Sequence, residues 1–296
     1  MKHCRIYDCE WDEYHSGLIV DNKVYLLDKE SKPQVTADLE WDAWENMIPL
    51  MQFYIGDPKT AENGGAEQVK WGFFNFRTGE IVVQPIYDRV YPFYRANLAK
   101  VILNNKAGFI DEQGNVVGRI VWDEACTFNV AALCAVRKND LWGFAGRNGE
   151  CVIEPQFESV GKWESISVDV EEAGLKEYAV WVKKNGKYGY LRDTGKYLAE
   201  TIYEEARDFW AERYAPVKAN GKWGFITAEG SFAIEPVFQD VGACEYDIYV
   251  VKQAGKWGAL DLELELTMPL EDKRYVTCKG ERIYLKNGKV SSRRKI

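Results

Sequence analysis

A motif that returns at a nearly fixed interval constrains this chain more than anything else in it. Aligned on a Trp-Gly pair, five segments read VKWGFFNFRTGEIVVQPIYDRV, NKAGFIDEQGNVVGRIVWDEA, DLWGFAGRNGECVIEPQFESV, GKYGYLRDTGKYLAETIYEEA and GKWGFITAEGSFAIEPVFQDV, and a sixth, GKWGALDLELELTMPL, is partial. The residues in the Trp place are Trp71, Ala107, Trp142, Tyr188, Trp223 and Trp257, separated by 36, 35, 46, 35 and 34 positions. A later aromatic follows after 16 residues in the first copy and 15 in the next four (Tyr87, Trp122, Phe157, Tyr203, Phe238), and a third anchor comes six residues beyond it (Phe93, Phe128, Trp163, Phe209, Cys244). Units of this size cannot bury an apolar face alone, so neighbours must stack.

Each Trp-Gly is preceded by a turn pair: Asn104-Asn105, Asn139-Asp140, Asn185-Gly186, Asn220-Gly221 and Ala254-Gly255. Asn-Gly between β-rich runs is a strong hairpin signal, because a type I′ turn needs positive φ at both central residues. A second Gly (Gly79, Gly114, Gly149, Gly195, Gly230) then opens a third short strand. The Gly of Trp-Gly marks a place where another backbone or ring packs against the strand. The Trp stripe reads as a core ladder between units, which outweighs a ligand-binding ladder because regularly spaced rings are usually buried. The expected fold is all-β, with little helix: tandem three-stranded repeats of about 35 residues wound into a superhelix or solenoid, a closed propeller-like array being the alternative.

The pattern decays toward both ends, as capping repeats do. Residues 1–70 read as a degenerate N-terminal cap, in which NKVYLLDKE places Val24 in the Trp position, followed by a polar, Gly-rich, mobile loop at 56–68. Residues 71–270 form the array, and the 46-residue step places 11 extra residues in an insertion near 164–178. Residues 271–296 read as a degenerate half repeat with a basic tail, taken as a frayed, solubilising end in preference to a nucleic-acid or lipid arm.

These segments, GKWGFITAEGSFAIEPVFQDV above all, resemble the WG repeat, also called the KWG repeat, a bacterial β-rich tandem repeat. The resemblance is clear over roughly 65–260 and weak elsewhere. Ala107 and Tyr188 depart from it, and the copy at Trp257 lacks the second Gly and the later aromatic. It implies a protein-interaction module and carries no catalytic residues.

The remaining residues narrow the chemistry. Seven scattered cysteines argue against a disulfide framework. The longest apolar run, 130–136, is far short of the ~20 residues of a transmembrane helix. The start, MKHCRIYDCEWDEYHSG, has no apolar signal core, so the expected location is cytoplasmic. His3, Cys4, Cys9 and His15 could in principle hold zinc, but their spacing is poor, and core cysteines are the preferred reading. With histidines only at 3 and 15, His-dependent triads lack members, and no phosphate-loop, dinucleotide or nucleophile-elbow motif occurs. A glycosidase-like carboxylate pair is not excluded by composition, yet no catalytic residue, cofactor or metal is expected.

Net charge is −8, and the tail beyond residue 285 carries five cations without an acid, which leaves −13 on the rest. A body this acidic repels duplex nucleic acid and complements a basic protein surface. The function expected is therefore a non-catalytic binder of a basic protein, such as an immunity-type neutraliser of a bacterial toxin. A carbohydrate or cell-wall binder is the alternative. Docking is expected at the insertion through Asp169, Glu171 and Glu172, since loops on rigid scaffolds concentrate binding residues. The oligomeric state is left open.

Overall fold

A computed structural model describes residues 2–8, 13–27, 31, 33–34, 48–56, 69–93, 97–166, 176–210, 212–245, 248–267, 275–278, 281–286 and 289–295. Those residues form strands, turns and bends, with no helix among them. The chain divides into two compact units, 1–155 and 156–296, the division falling within the strand Cys151–Phe157.

The fifth repeat shows the plan. Strands Tyr214–Ala219 and Lys222–Thr227 form a hairpin around Asn220-Gly221, and a return strand, Phe232–Phe238, lies on its far side. A two-residue corner strand, Glu205–Ala206, completes the four-stranded sheet and belongs to the preceding repeat. Each repeat thus hands its corner strand to its successor, whose sheet consists of that strand plus its own hairpin and return strand, with Glu164–Ser165 added as a fifth strand in the fourth repeat. The turn pairs adopt the expected conformation: both residues have positive φ at Asn104-Asn105, Asn139-Asp140, Asn185-Gly186, Asn220-Gly221 and Ala254-Gly255.

The 15-residue interval is a register. Trp223 lies directly opposite Phe238, as Ala107 lies opposite Trp122 and Tyr188 opposite Tyr203; the first copy's longer interval still sets Trp71 opposite Tyr87. Two positions further along the Trp-Gly strand, Phe225 faces Ile234, so two steps on one strand meet four on the other and the return strand bulges. The Gly between them permits this. A Cβ on Gly224 would stand 2.5 Å from the Ile234 carbonyl oxygen and 2.8 Å from the Pro236 nitrogen, and one on Gly189 would stand 2.6 Å from the Ala199 oxygen. Gly72 and Gly143 meet the Val83 and Ile153 oxygens in the same way. The backbone approach expected of this Gly comes from its own repeat.

The core differs from the expected Trp ladder. The ring two residues after the Trp place is the buried one: Phe73, Phe109, Phe144, Tyr190 and Phe225 have no more than 1% of their surface exposed. In the first, second and fourth repeats the third anchor packs on it, with centroids 4.9 Å apart for Phe73–Phe93, 4.8 Å for Phe109–Phe128 and 5.3 Å for Tyr190–Phe209. In the fifth repeat Tyr249 meets Phe225, 5.0 Å away. The Trp place itself is only half-buried at Trp71, Trp142, Tyr188 and Trp257. A cation on the opposite strand covers the ring in four repeats: Arg137 on Trp142, Lys183 on Tyr188, Lys218 on Trp223 and Lys252 on Trp257, 5.5–5.8 Å from the centroid. Where Ala107 replaces the Trp, the opposing residue is Ile102.

One polar contact repeats in register with the corner. The residue after the later aromatic donates its backbone N–H to the first strand of the next hairpin, and its side chain accepts the N–H of that hairpin's turn. Asp88 accepts from Asn104 at 2.6 Å, Asp123 from Asn139 at 2.8 Å, Glu158 from Gly186 at 2.9 Å, Glu204 from Gly221 at 3.0 Å and Gln239 from Gly255 at 2.6 Å. These turn N–H groups have no partner within the two-residue loop, so the corner residue ties consecutive repeats together. The Lys before the Trp place joins in at two repeats, Lys70 on Asp88 and Lys106 on Asp123, each at 2.5 Å.

At the N-terminus, strands Lys2–Asp8, Glu13–Val20, Lys23–Leu27 and Pro33–Gln34 extend the first repeat's sheet to seven strands. That sheet curls until the Val24 N–H reaches the Gly79 oxygen at 2.7 Å, enclosing Cys4, Ile6, Phe53, Phe74 and Ile81. At the other end the basic tail is a strand, Lys289–Lys295, paired with Glu281–Lys286. The frayed end expected there is corrected by Val290, which packs beside Ile248, Val250 and Ile283 and fixes the register. Its exposed Arg293, Arg294 and Lys295 suit an edge strand, since charge there discourages pairing with other chains.

Candidate functional site

The bulge that Gly224 permits re-aims side chains, which is the usual consequence of a bulge. In the fourth repeat the return strand Tyr197–Tyr203 bulges between Ala199 and Tyr203, and there Glu200 and Ile202 are exposed. In the fifth, Glu235 and Val237 occupy the same places. Gln84 and Ile86 do so in the first. Ile202 is 65% exposed, Ile86 53% and Val237 40%. Exposure on this scale is informative because it is not scattered. Of the ten large apolar side chains exposed among the described residues, seven lie on the return strands of the five full repeats, and Leu266 holds the corresponding place in the sixth.

The chemistry of the bulges differs from repeat to repeat. The first two return strands carry Gln84 and Arg119 at the polar place, and the third carries Glu154 there with Gln156 rather than an apolar residue at the outermost place. The fourth and fifth combine Glu at the polar place with Ile or Val at the outermost one, and their sequences YLAETIY and FAIEPVF contain no cation. The two strands are neighbours: the rings of Tyr203 and Phe232 are 6.2 Å apart, and Gly230 lies against the Leu198 carbonyl. Acidic and apolar groups therefore alternate across one surface spanning two repeats.

Asp169, Glu171 and Glu172 lie outside the described residues, as does most of the polar stretch at 56–68. The base of the insertion is described. Glu164–Ser165 pairs with Tyr178–Ala179, Ile166 is buried beside Tyr190 and Phe209, and Glu177 forms an ion pair with Arg192. Arg192 in turn donates to the Ala228 oxygen in the fifth repeat at 2.7 Å, so the insertion springs from beside the turn that opens the Tyr197–Tyr203 strand. Two carboxyls near this base are held above their usual range: Asp208 by burial against a hydrogen bond from Trp181, and Glu164 by burial and the nearby Asp208 charge.

At the N-terminus, His3 is exposed while Cys4, its strand neighbour, is buried with its thiol pushed up to about 12 by burial. Alternation sends these two side chains to opposite faces of the sheet, so they cannot ligate one ion. Cys9 lies outside the described residues.

Comparison with known proteins gives a family and little else. The WG containing repeat matches five segments, 71–106, 108–142, 142–165, 188–223 and 223–257, together more than half of the chain. Among curated proteins none matches. Several solved structures are similar at low identity. A eukaryotic initiation factor aligns over 93% of this chain and 80% of its own at 10% identity, with a TM-score of 0.40. Dihydro-heme d1 dehydrogenase NirN aligns over 76% and 61% at 10% identity and 0.33, and Kluyveromyces lactis Hsv2p over 82% and 95% at 9% identity and 0.34. At these scores no argument about topology or function follows from the likeness.

Proposed function

The chain belongs to the family of WG containing repeats, and from that premise we propose that it is a non-catalytic, protein-binding scaffold whose partner is basic. One observation carries this reading. The recurring corner acceptors Asp88, Asp123, Glu158, Glu204 and Gln239 are taken up by the scaffold, whereas the exposed apolar residues gather on the return strands. Apolar exposure concentrated on one recurring element is characteristic of interaction surfaces. The net charge of −8 supplies the sign of the partner, because an acidic surface speeds encounter with a cationic one.

An immunity-type role, in which the chain neutralises a basic toxin or enzyme in a bacterial cytoplasm, is the concrete form of the proposal. Asp169, Glu171 and Glu172 in the insertion contribute steering charge in this reading. The repeats are proposed to continue as an open superhelix, with a closed propeller as the alternative that small-angle scattering distinguishes. The carbohydrate-binding alternative is disfavoured by the cations over Trp142, Tyr188 and Trp257, which occupy ring faces that a sugar would use.

The test begins with affinity purification from the native host and ends with the purified partner titrated against the full chain. A basic protein binding at or below ~1 μM, about 8 kcal/mol, is the expected result. Recovery of acidic proteins alone, or of a partner that does not bind when purified, contradicts the proposal.

A further inference from the structure

We infer that the return-strand face of the fourth and fifth repeats is the docking surface, and that its occupant is a partner segment in which Lys or Arg alternates with apolar residues. The inference rests on the protein-binding reading above and adds the place and the chemistry. Four large side chains are exposed on this face, Tyr197, Ile202, Phe232 and Val237, and Glu200 and Glu235 stand between them.

Neither dyad is needed for the fold as the fold is built. The bulge follows from the contact between Gly189 or Gly224 and the return-strand backbone, which is made by main-chain atoms. The buried rings Tyr203 and Phe238 and the corner acceptors Glu204 and Gln239 are the residues that follow the dyads along the chain, not the dyads themselves. The third repeat carries the polar Gln156 at the outermost place of its return strand. In the fourth and fifth the outermost place is Ile or Val, and the next exposed place is Glu.

That combination selects the occupant. A cationic side chain can lay its aliphatic stem along Ile202 or Val237 while its head reaches Glu200 or Glu235. An apolar residue next to it in the partner fills the space toward Tyr197 or Phe232. Phosphate backbones and anionic lipid surfaces are repelled by the same two carboxylates. The nearness of Tyr203 to Phe232 and of Gly230 to Leu198 makes the two dyads parts of one surface, so a single short segment spans both.

The probe is a dye-labelled peptide of alternating leucine and lysine, titrated against the full chain by fluorescence anisotropy at low and moderate salt, with a leucine–glutamate peptide as control. Wild type is expected to bind the first and ignore the second. Glu200→Lys with Glu235→Lys should weaken binding at least ~10-fold at low salt, and Ile202→Ser with Val237→Ser about as much. Glu80→Lys with Glu150→Lys, the same charge change on exposed residues of the other unit, should cost less than about 3-fold. Thermal melts verify that each variant is folded. If both return-strand doubles bind as tightly as wild type, the face is wrong while the protein-binding reading stands. A wild-type chain that binds neither the peptide nor any purified basic partner overturns both.

Discussion

Gly224→Ala probes the contact that creates the exposed bulge. The added methyl would meet three backbone atoms, the Ile234 oxygen at 2.5 Å, the Pro236 nitrogen at 2.8 Å and the Glu235 carbonyl carbon at 2.9 Å. Backbone cannot swing aside as a side-chain tip can, so either the return strand moves off or the clash persists. Inserting a methyl into such packing costs about 1–3 kcal/mol, offset by ~0.4–1 kcal/mol from the stiffer unfolded chain. The net loss expected is about 1–2 kcal/mol, read from urea unfolding midpoints at constant slope. Gly221→Ala is the comparison. Its Cβ meets nothing within 4 Å, but φ there is 73°, so the cost is conformational, about 1 kcal/mol. Hydrogen exchange separates the two: Gly224→Ala should speed exchange along 232–238, and Gly221→Ala should not. A Gly224→Ala variant as stable as wild type, with that strand's protection intact, would refute the claim that the bare glycine holds the bulge.

Ala254 sits at φ 48° in a turn where the four preceding hairpins have Asn104, Asn139, Asn185 and Asn220, and it is exposed; Ala254→Asn should stabilise by about 0.5–1 kcal/mol in thermal melts. Glu204→Ala removes the acceptor of the Gly221 N–H and should cost about 1 kcal/mol, whereas Glu204→Gln should stay within ~0.5 kcal/mol, because Gln239 holds Gly255 in the same way. Asp123 is held below the usual aspartate range by hydrogen bonds from Lys106 and the Asn139 N–H, and Asp88, despite some burial, by those from Lys70 and the Asn104 N–H. A depressed carboxyl stabilises the fold above its unfolded pKa of ~3.9 and ceases to as pH falls through the lower folded value. Urea midpoints of wild type should therefore fall as pH drops below about 4, and the Asp88→Asn, Asp123→Asn double variant should show a shallower fall.

Much of the repeat was legible because it is carried by local chemistry. Asn220-Gly221 and its counterparts announce the hairpins, and the interval from Trp223 to Phe238 is the register that sets those residues opposite each other. The bulge was not legible, since a 15-residue spacing does not say how many of those residues lie in the ladder and how many lie outside it. The corner acceptor was hidden by its variety: Asp, Glu and Gln can each accept the N–H, so no one letter is shared by all five corners. Sequence overstates the burial of the Trp place, because its covering cation comes from the opposite strand, five residues upstream, where Arg137, Lys183, Lys218 and Lys252 look like ordinary surface charge. Opposite Trp71 the place of that cation is taken by Tyr54, whose tilted ring lies 4.7 Å away. The exposed dyads are single residues in otherwise apolar strands, and sequence alone does not separate the side chains a bulge turns outward from those it turns in.

The central claim is that the bulge dyads of the fourth and fifth repeats are surplus to the fold. A thermal melt of the quadruple variant Glu200→Ser, Ile202→Ser, Glu235→Ser, Val237→Ser tests it most directly. Exposed substitutions usually stay within about 0.5 kcal/mol each, so the midpoint should lie within roughly 2–6 °C of wild type, with unchanged cooperativity. A loss of ~10 °C or more, or a broadened transition, would show that these residues hold the repeats together, and the account of them as a presented surface would be wrong.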